Sequence, residues 1–524
     1  MDKNPNVEVV WEAIPGSSQE LAVDTRCDHT LYHGTRGPGK TITQLMRFRR
    51  HVGVGYGSYW RGIIFDREFK NLSDLVAQSK RFFEDFDDGA SFKSSASEYK
   101  WVWKTGEELL FRHVKKLSDY EDFHGHEYPF IGWNELTKHP TAELYDKMMS
   151  TNRSSFLPEK DTPLLLDAKG NAMTNDWGVK LYNTPDNMPL KNIPLEVFST
   201  TNPSGPGHNW VKRRFINCAS NGEVVRKEIK VFDPRAQKEC IVSKSQVAIF
   251  GSYRENIYLD AKYIAELDML TSSNKNLREA WLNGNWDVTA GGALDDMWKR
   301  AVHVVPRFKI PKQWYVDRSF DWGSSHPFSV RWWAEANGED IEMPDGSTFC
   351  PARGSLIQFA EWYGTDEIGT NKGLKLSAYK VAEGIVEREK ILMEGGWIAK
   401  KPTPGPADTK RGGNVDSTEE DINSKMATKK VKWTDPIKKA GSRIQGLQLF
   451  RDRLESSITG EGPGIYFMSH CTGSIETIPS LPRDDKELDD IDTTSEDHCY
   501  DMARYRILKG NNRLAKKITA KHAT

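Results

Sequence analysis

The chain has 524 residues, a formal net charge of −1, and 37% apolar, 11% aromatic and 28% charged residues. That length exceeds one ordinary core and points to two large domains. The apolar share excludes a disordered chain, and the near-zero charge means that any polyanion must be held by local patches. Six scattered cysteines without a C-x-x-C pair argue against a zinc site or a disulfide framework, and with no leader at Met1-Asp2-Lys3 and no long apolar run they predict a soluble, intracellular protein with no membrane partner.

Ile14 to Leu21 leads into a predicted helix. Within it Gln19 is a candidate reader of adenine, because its amide offers a donor and an acceptor to the base edge; an ordinary surface glutamine fits as well. Thr30 to His33 predicts a strand, and Ile42 to Arg50 predicts a helix with apolar residues at Ile42, Leu45, Met46 and Phe48. Between them, Gly34-Thr35-Arg36-Gly37-Pro38-Gly39-Lys40-Thr41 fits the P-loop pattern G-x-x-x-x-G-K-[ST]. Glycines let the backbone wrap a phosphate, Lys40 reaches the β- and γ-phosphates, and the Thr41 hydroxyl can ligate Mg²⁺. Strand before and helix after make this an NTP site, with Mg²⁺ as an expected cofactor.

Gly62 to Phe65 predicts the next strand, Leu72, Leu75 and Val76 mark a helix, and Trp101–Trp103 with Leu109–Phe111 predict a hairpin. Tyr128 to Glu135 is an apolar strand ending in a polar pair. Glu135 is the expected general base that polarises the attacking water. The position before it, where an acid would hold Mg²⁺, is Asn134, which can bind a metal-bound water but brings no charge. Arg36 in cis, or Arg153 from a neighbouring subunit, could neutralise charge on the γ-phosphate, a solvated surface role being equally open for Arg153. Leu195 to Pro203 predicts a strand ending in Ser199-Thr200-Thr201-Asn202, a turn that can sense the γ-phosphate. Strands that each end in polar groups predict a parallel α/β sheet with its ligand at the strand C-termini.

Turn chemistry from Asn283 to Asp287, Gly291-Gly292, Pro306 and Pro311 breaks the pattern. The expected domains are 1–285, a linker 286–310, a second domain 311–510 and a basic tail 511–524. A strand near Trp314 to Val316 leads to Asp321, and Ser329–Ala334 and Leu356–Tyr363 predict two further strands; an Asp on a first strand followed by two antiparallel ones is how an RNase H-like fold begins. Asp408 follows in Gly405 to Thr409, and a predicted helix from Ser495 to Tyr505 carries Asp497, His498 and Asp501. Two divalent ions bridged by carboxylates can cleave a phosphodiester, and Mg²⁺ or Mn²⁺ prefer hard oxygen ligands. Asp321, Asp408 and Asp501 are the expected ligands, with Asp497 and His498 as supports or alternatives, so the third ligand stays open between Asp497 and Asp501. The Gly- and charge-rich stretch from Lys410 to Lys432 reads as a mobile loop. The helix with Ile444, Leu447, Phe450 and Leu454 reads as core packing, and Arg506, Lys509, Arg513, Lys516, Lys517 and Lys521 form a basic tail suited to DNA or a partner.

Taken as an ordered series, these motifs resemble the large terminase subunit of tailed bacteriophages. The matching pieces are Pro15 to Gln19, Gly34 to Thr41, Ile131 to Glu135, Ser199 to Pro203, Gly207 to Phe215, Asn256 to Trp286, and the closing Asp-His-x-x-Asp-x-x-Arg-Tyr at 497–505. The resemblance spans about Gln19 to Tyr505. It implies an α/β fold with an N-terminal P-loop, RecA-related ATPase domain working as a homo-oligomeric ring and a C-terminal RNase H-like nuclease domain, with Ser199 to Asn202 coupling hydrolysis to motion. It also implies double-stranded viral DNA, a small terminase subunit and the portal of the procapsid as partners, in the host cytoplasm. A helicase or repair ATPase with a nuclease domain, and a nucleotide-gated assembly protein with an inactive carboxylate cluster, are the alternatives.

Overall fold

The computed structural model describes residues 9–95, 97–272, 275–287, 292–294, 296–409, 418–484, 487, 489–493 and 495–510. The chain divides into two compact units, Met1–Ala290 and Gly291–Thr524. Among the described residues no helix is long and apolar enough to cross a membrane.

The first unit is built on nine strands: β1 (His29–Gly34), β2 (Arg61–Asp66), β3 (Ser91–Lys93), β4 (Lys100–Val102), β5 (Glu108–His113), β6 (Phe130–Trp133), β7 (Glu196–Thr201), β8 (Val225–Asp233) and β9 (Lys238–Gly251). Their order is β3-β4-β5-β2-β6-β7-β1-β9-β8. The strands from β5 to β9 in that order run parallel, and β3, β4 and β8 add antiparallel edges. The parallel strands read as near-continuous apolar runs because both faces are covered. Successive residues of β2 show this: Ile64 joins one core with the P-loop helix residues Leu45 and Phe48, while Ile63 and Phe65 join the other with Trp133, Tyr145 and Trp210. Parallel strands end on one edge of the sheet, so Gly34, Asn134, Glu135 and Asn202 emerge at that edge together.

The second unit has a sheet of β10 (Val304–Val305), β11 (Tyr315–Asp321), β12 (Ser329–Glu335), β15 (Leu356–Tyr363), β16 (Ala407–Asp408) and β17 (Ile465–Met468), with β13 (Ile341–Glu342) and β14 (Thr348–Phe349) as a separate pair. β11, β12 and β15 are antiparallel neighbours and β16 lies parallel beside β11, the RNase H-like arrangement; β17 and then β10 extend the other side in parallel. The strand period of two sorts the side chains. Val330, Trp332 and Ala334 pack with the helix Ala378–Glu394, while Trp333 packs with the helices Ser442–Thr459 and His498–Leu508. Within the stretch expected to be linker, the helix Arg300–His303 and β10 belong to this unit.

Three expectations are corrected here. The stretch from Lys410 to Lys432 is not one loop: residues 410–417 lie outside the described residues, and Thr418–Ala427 is a helix, because Ile422 and Met426, one turn apart, pack into the core. Ile444 is 41% exposed, whereas Leu447, Phe450 and Leu454 are buried as expected. Arg506 and Lys509 do not belong to a solvated basic tail. Asp317 on β11 is fully buried and takes Arg506 Nε at 2.8 Å and Lys509 Nζ at 3.1 Å, and Glu335 takes Arg506 Nη2 at 3.1 Å. A buried carboxylate must be paired, and these two cations pair it. The rest of the predicted tail, 511–524, lies outside the described residues.

Candidate nucleotide and nuclease sites

In the first unit the P-loop turns from β1 into the helix Lys40–Arg49. Gly39 caps that helix at φ +84°, a left-handed conformation that favours glycine. Gly34 approaches β9 so closely that an added Cβ would lie 2.1 Å from the Gly251 carbonyl oxygen. The loop borders a cavity of about 620 Å³ lined by Arg36 to Thr41 with Glu135, Lys138 and Asn202 among others. The Lys40 ammonium is 2.7 Å from the Thr35 carbonyl and 2.8 Å from Asn202 Oδ1. The Asn202 amide donates in turn to Glu135, at 3.3 and 3.4 Å to its two oxygens. A continuous chain Lys40–Asn202–Glu135 therefore links the start of the P-loop helix to the ends of β7 and β6. Burial lowers the Lys40 ammonium to about 8, with Glu135 opposing the shift and Arg36 adding to it.

The other expected residues fall in two groups. Gln19 is 6% exposed, so it is not a surface glutamine; its Oε1 accepts from the Ile14 amide at 3.1 Å, and a Cβ on Gly39 would meet its Nε2 at 2.7 Å. It therefore braces the loop. The Thr35 hydroxyl accepts from the Tyr253 amide at 2.6 Å, and the Gly37 carbonyl accepts from Asn256 Nδ2 at 2.7 Å. Thr41 and Pro38 line the cavity beside Gly37. Arg36 stacks its guanidinium over Trp281 at 3.4 Å, and the Arg36 amide donates to the Trp281 carbonyl at 3.0 Å. Arg153 is not among the residues lining the cavity: its Nη2 donates to the Gly125 carbonyl at 2.6 Å, and its Nε lies 4.0 Å from Glu127. Asn134 turns its amide group to Asp66, 2.8 Å away on the neighbouring strand.

In the second unit the register of β11 and β16 makes Asp321 and Asp408 direct neighbours. The helix His498–Leu508 brings the remaining residues. His498 Nδ1 donates to Asp321 Oδ2 at 3.2 Å and stands 4.0 Å from Asp497, while its Nε2 lies 3.0 Å from Asn371 Oδ1. Tyr505 donates to Asp408 at 3.0 Å, and Lys438 also touches that carboxylate. Arg504 donates to Asp501 at 3.0 and 3.1 Å.

Burial and neighbouring acids raise the cost of ionising Asp321 and Asp497. Burial pushes Asp321 up to about 6, His498 opposes the shift, and the charges of Asp501 and Asp408 add to it. Burial, then Asp501, raises Asp497 well above the usual carboxylate range. Burial opposes protonation of His498, yet the hydrogen bond and charge of Asp321 carry it up to about 9. Carboxylates crowded out of water are a donor set suited to a hard divalent cation, and Asp321, Asp408, Asp501, Asp497 and His498 are the residues that would hold it. Among the described residues no three His, Cys, Asp or Glu side chains already converge as a ligand group. Lys438 and Tyr505 occupy Asp408 and Arg504 occupies Asp501 instead, and a cation on those carboxylates would have to release them.

Sequence reasoning missed Asp66, Trp281, Asn371 and Lys438. Each acts on a site residue from far along the chain, and no local motif marks it.

No family model matches the chain, and a comparison with curated proteins finds no match. Among solved structures, it is similar to the large terminase from a thermophilic bacteriophage in complex with ADP, at 14% identity over 93% of this chain and 97% of that one, with a TM-score of 0.35. It is also similar to the bacteriophage HK97 large terminase, at 9% identity over 93% of this chain and 94% of that one, with a TM-score of 0.41. The P22 large terminase nuclease domain matches at 13% identity over 42% of this chain and 94% of that one, with a TM-score of 0.29.

Proposed function

We propose that the chain is a DNA-packaging motor that hydrolyses ATP to drive double-stranded DNA into a viral procapsid and cuts concatemeric DNA with a two-metal endonuclease. The observation that carries this reading is that one polypeptide holds both the Lys40–Asn202–Glu135 chain beside a P-loop and the Asp321–Asp408 pair facing His498. In the first unit, the loop amides and Lys40 bind the phosphates. Glu135 takes a proton from the attacking water, whose oxygen bonds to the γ-phosphorus as ADP leaves, and Arg36 offsets the developing charge. Thr41 is the hydroxyl for Mg²⁺. Asn202 bridges the nucleophile side and the phosphate side, bonding Glu135 through its amide and Lys40 through its oxygen.

In the second unit, divalent ions bound by Asp321, Asp408 and Asp501 would activate water and stabilise the leaving oxygen. His498 fixes the Asp321 carboxylate, and Asp497 stands behind His498. A ring of such chains, a small subunit that selects viral DNA and a portal are the partners this role requires, in the host cytoplasm.

The test uses the full chain with ATP, plasmid DNA and Mg²⁺ or Mn²⁺. Asp321→Ala is expected to abolish cutting and keep ATP turnover, and Lys40→Ala to do the reverse. Equal cutting by wild type and Asp321→Ala would remove the nuclease and favour an assembly protein with an inactive cluster.

A further inference from the structure

Asp66 closes β2 and is wholly buried, yet the hydrolytic reading gives it no task. Its carboxylate accepts four hydrogen bonds. The Glu68 amide and Asn71 Nδ2 bind Oδ1 at 3.0 Å each, and Asn134 Nδ2 at 2.8 Å and Lys138 Nζ at 3.3 Å bind Oδ2. Burial alone would raise its pKa, but these donors hold it below the usual carboxylate range, so the group is a fixed negative charge.

Donors alone surround Asp66, and this settles which end of Asn134 faces it. An Asn amide can be turned over, but only its NH₂ can donate to a carboxylate. The Asn134 oxygen is thereby forced to the opposite side, where Thr200 Oγ1 lies 3.4 Å away. That hydroxyl in turn accepts from the Glu135 amide at 3.3 Å. Glu135 sits at φ +54°, a left-handed conformation that a residue with a side chain keeps only when its surroundings impose it. The chain Asp66–Asn134–Thr200–Glu135 crosses the ends of β2, β6 and β7 and holds that strained backbone in place.

We infer that Asp66 is a positioning residue for ATP hydrolysis: acting through Asn134 and Thr200, it fixes the backbone from which Glu135 reaches the attacking water. An Asn rather than an Asp at position 134 then has a physical reason. A carboxylate there would face Asp66 across 2.8 Å and repel it. The negative charge stands one strand over, and position 134 supplies the donor that binds it. This inference rests on the reading of the first unit as an ATPase.

The experiment exchanges the pair in the full chain and reads steady-state ATP turnover, binding of a fluorescent ATP analogue, and Tm. Asn134→Asp is expected to lower kcat at least tenfold and to lower Tm, with KM and analogue binding within about threefold of wild type. The double exchange Asp66→Asn with Asn134→Asp restores one donor facing one carboxylate, and is expected to recover most of both losses. Thr200→Val cuts the chain at its other end, and is expected to lower kcat with KM held and the fold intact. An exchange variant no better than Asn134→Asp overturns the inference, as does wild-type kcat in Asn134→Asp or in Thr200→Val. Failure of the wild-type chain to turn over ATP is a different result, and removes the ATPase reading itself.

Discussion

Asp321 shows at the level of one residue what a functional site costs its fold. Its side chain is 15% exposed, and burial with the neighbouring acids pushes its pKa up to about 6. The folded value lies above the unfolded value of about 3.9, so between the two the native state binds more protons and stability falls as pH rises. Asp321→Asn removes that ionisation. We expect its Tm at pH 7.5 to be no lower than wild type, while cutting is lost. Mn²⁺ should raise the Tm of wild type and not of this variant, because a ligand stabilises only the state that binds it; scanning fluorimetry reads both. Lys438 makes a companion case. It touches Asp408 from a side chain that is 41% exposed, so it competes for that carboxylate with any arriving cation. Lys438→Gln should lower the half-saturating Mn²⁺ concentration in the same assay, and a raised or unchanged value would mean that the lysine does not compete.

At the level of elements, the helix His498–Leu508 is anchored by its far end. Arg506, about two turns along from His498, is 1% exposed and bonds Asp317 on β11 and Glu335 on β12. This buried group sets the angle at which His498 and Asp501 meet the strand that carries Asp321. Removing one member leaves buried charge without its partner, which costs about 3–5 kcal/mol. Arg506→Ala should therefore lower unfolding free energy by about that much in urea titrations, and should impair cutting without touching a metal ligand. Glu335→Gln, which keeps the shape and an acceptor for Arg506 while Asp317 still balances the charge, should cost less. The P-loop depends in the same way on close approach, here of backbone: Gly34→Ala would drive a methyl into the Gly251 carbonyl, so it should disrupt β1–β9 pairing as well as nucleotide binding.

For the whole molecule, the titrating groups divide unevenly. In the first unit His33 and His139 are held down to about 3, and His29 and His208 to about 4, by burial in every case, with nearby cations adding to it. Their folded values lie below the unfolded value of about 6.5, so the unfolded chain binds more protons in that window. The sign is that stability is complete above about pH 6.5 and is lost as pH falls towards 4, by up to about 1.4 kcal/mol per pH unit for each histidine. Urea unfolding of the full chain followed between pH 7 and 5 should show the first unit weakening, and His139→Gln should flatten its slope. A first unit equally stable at both pH values would show that these rings are protonated where they stand.

Much of this could be read from residue order. Gly34 to Thr41 marked the phosphate loop because its glycines and lysine are adjacent in the chain, and β1, β2, β6, β7, β11, β12 and β15 followed from apolar runs and alternation. The spacing of His498 and Asp501 placed both on one helix face. Local chemistry and local periodicity are properties of consecutive residues, so the sequence determined them. Only the tertiary structure decided what consecutive residues do not encode. It decided that Asp408 lies beside Asp321, that Asp66 faces Asn134, that Lys438 reaches Asp408, and that Arg506 is a buried anchor rather than part of a basic tail. Each of these depends on strand register or on which charge a buried partner demands, and both arise only when distant segments exclude water together.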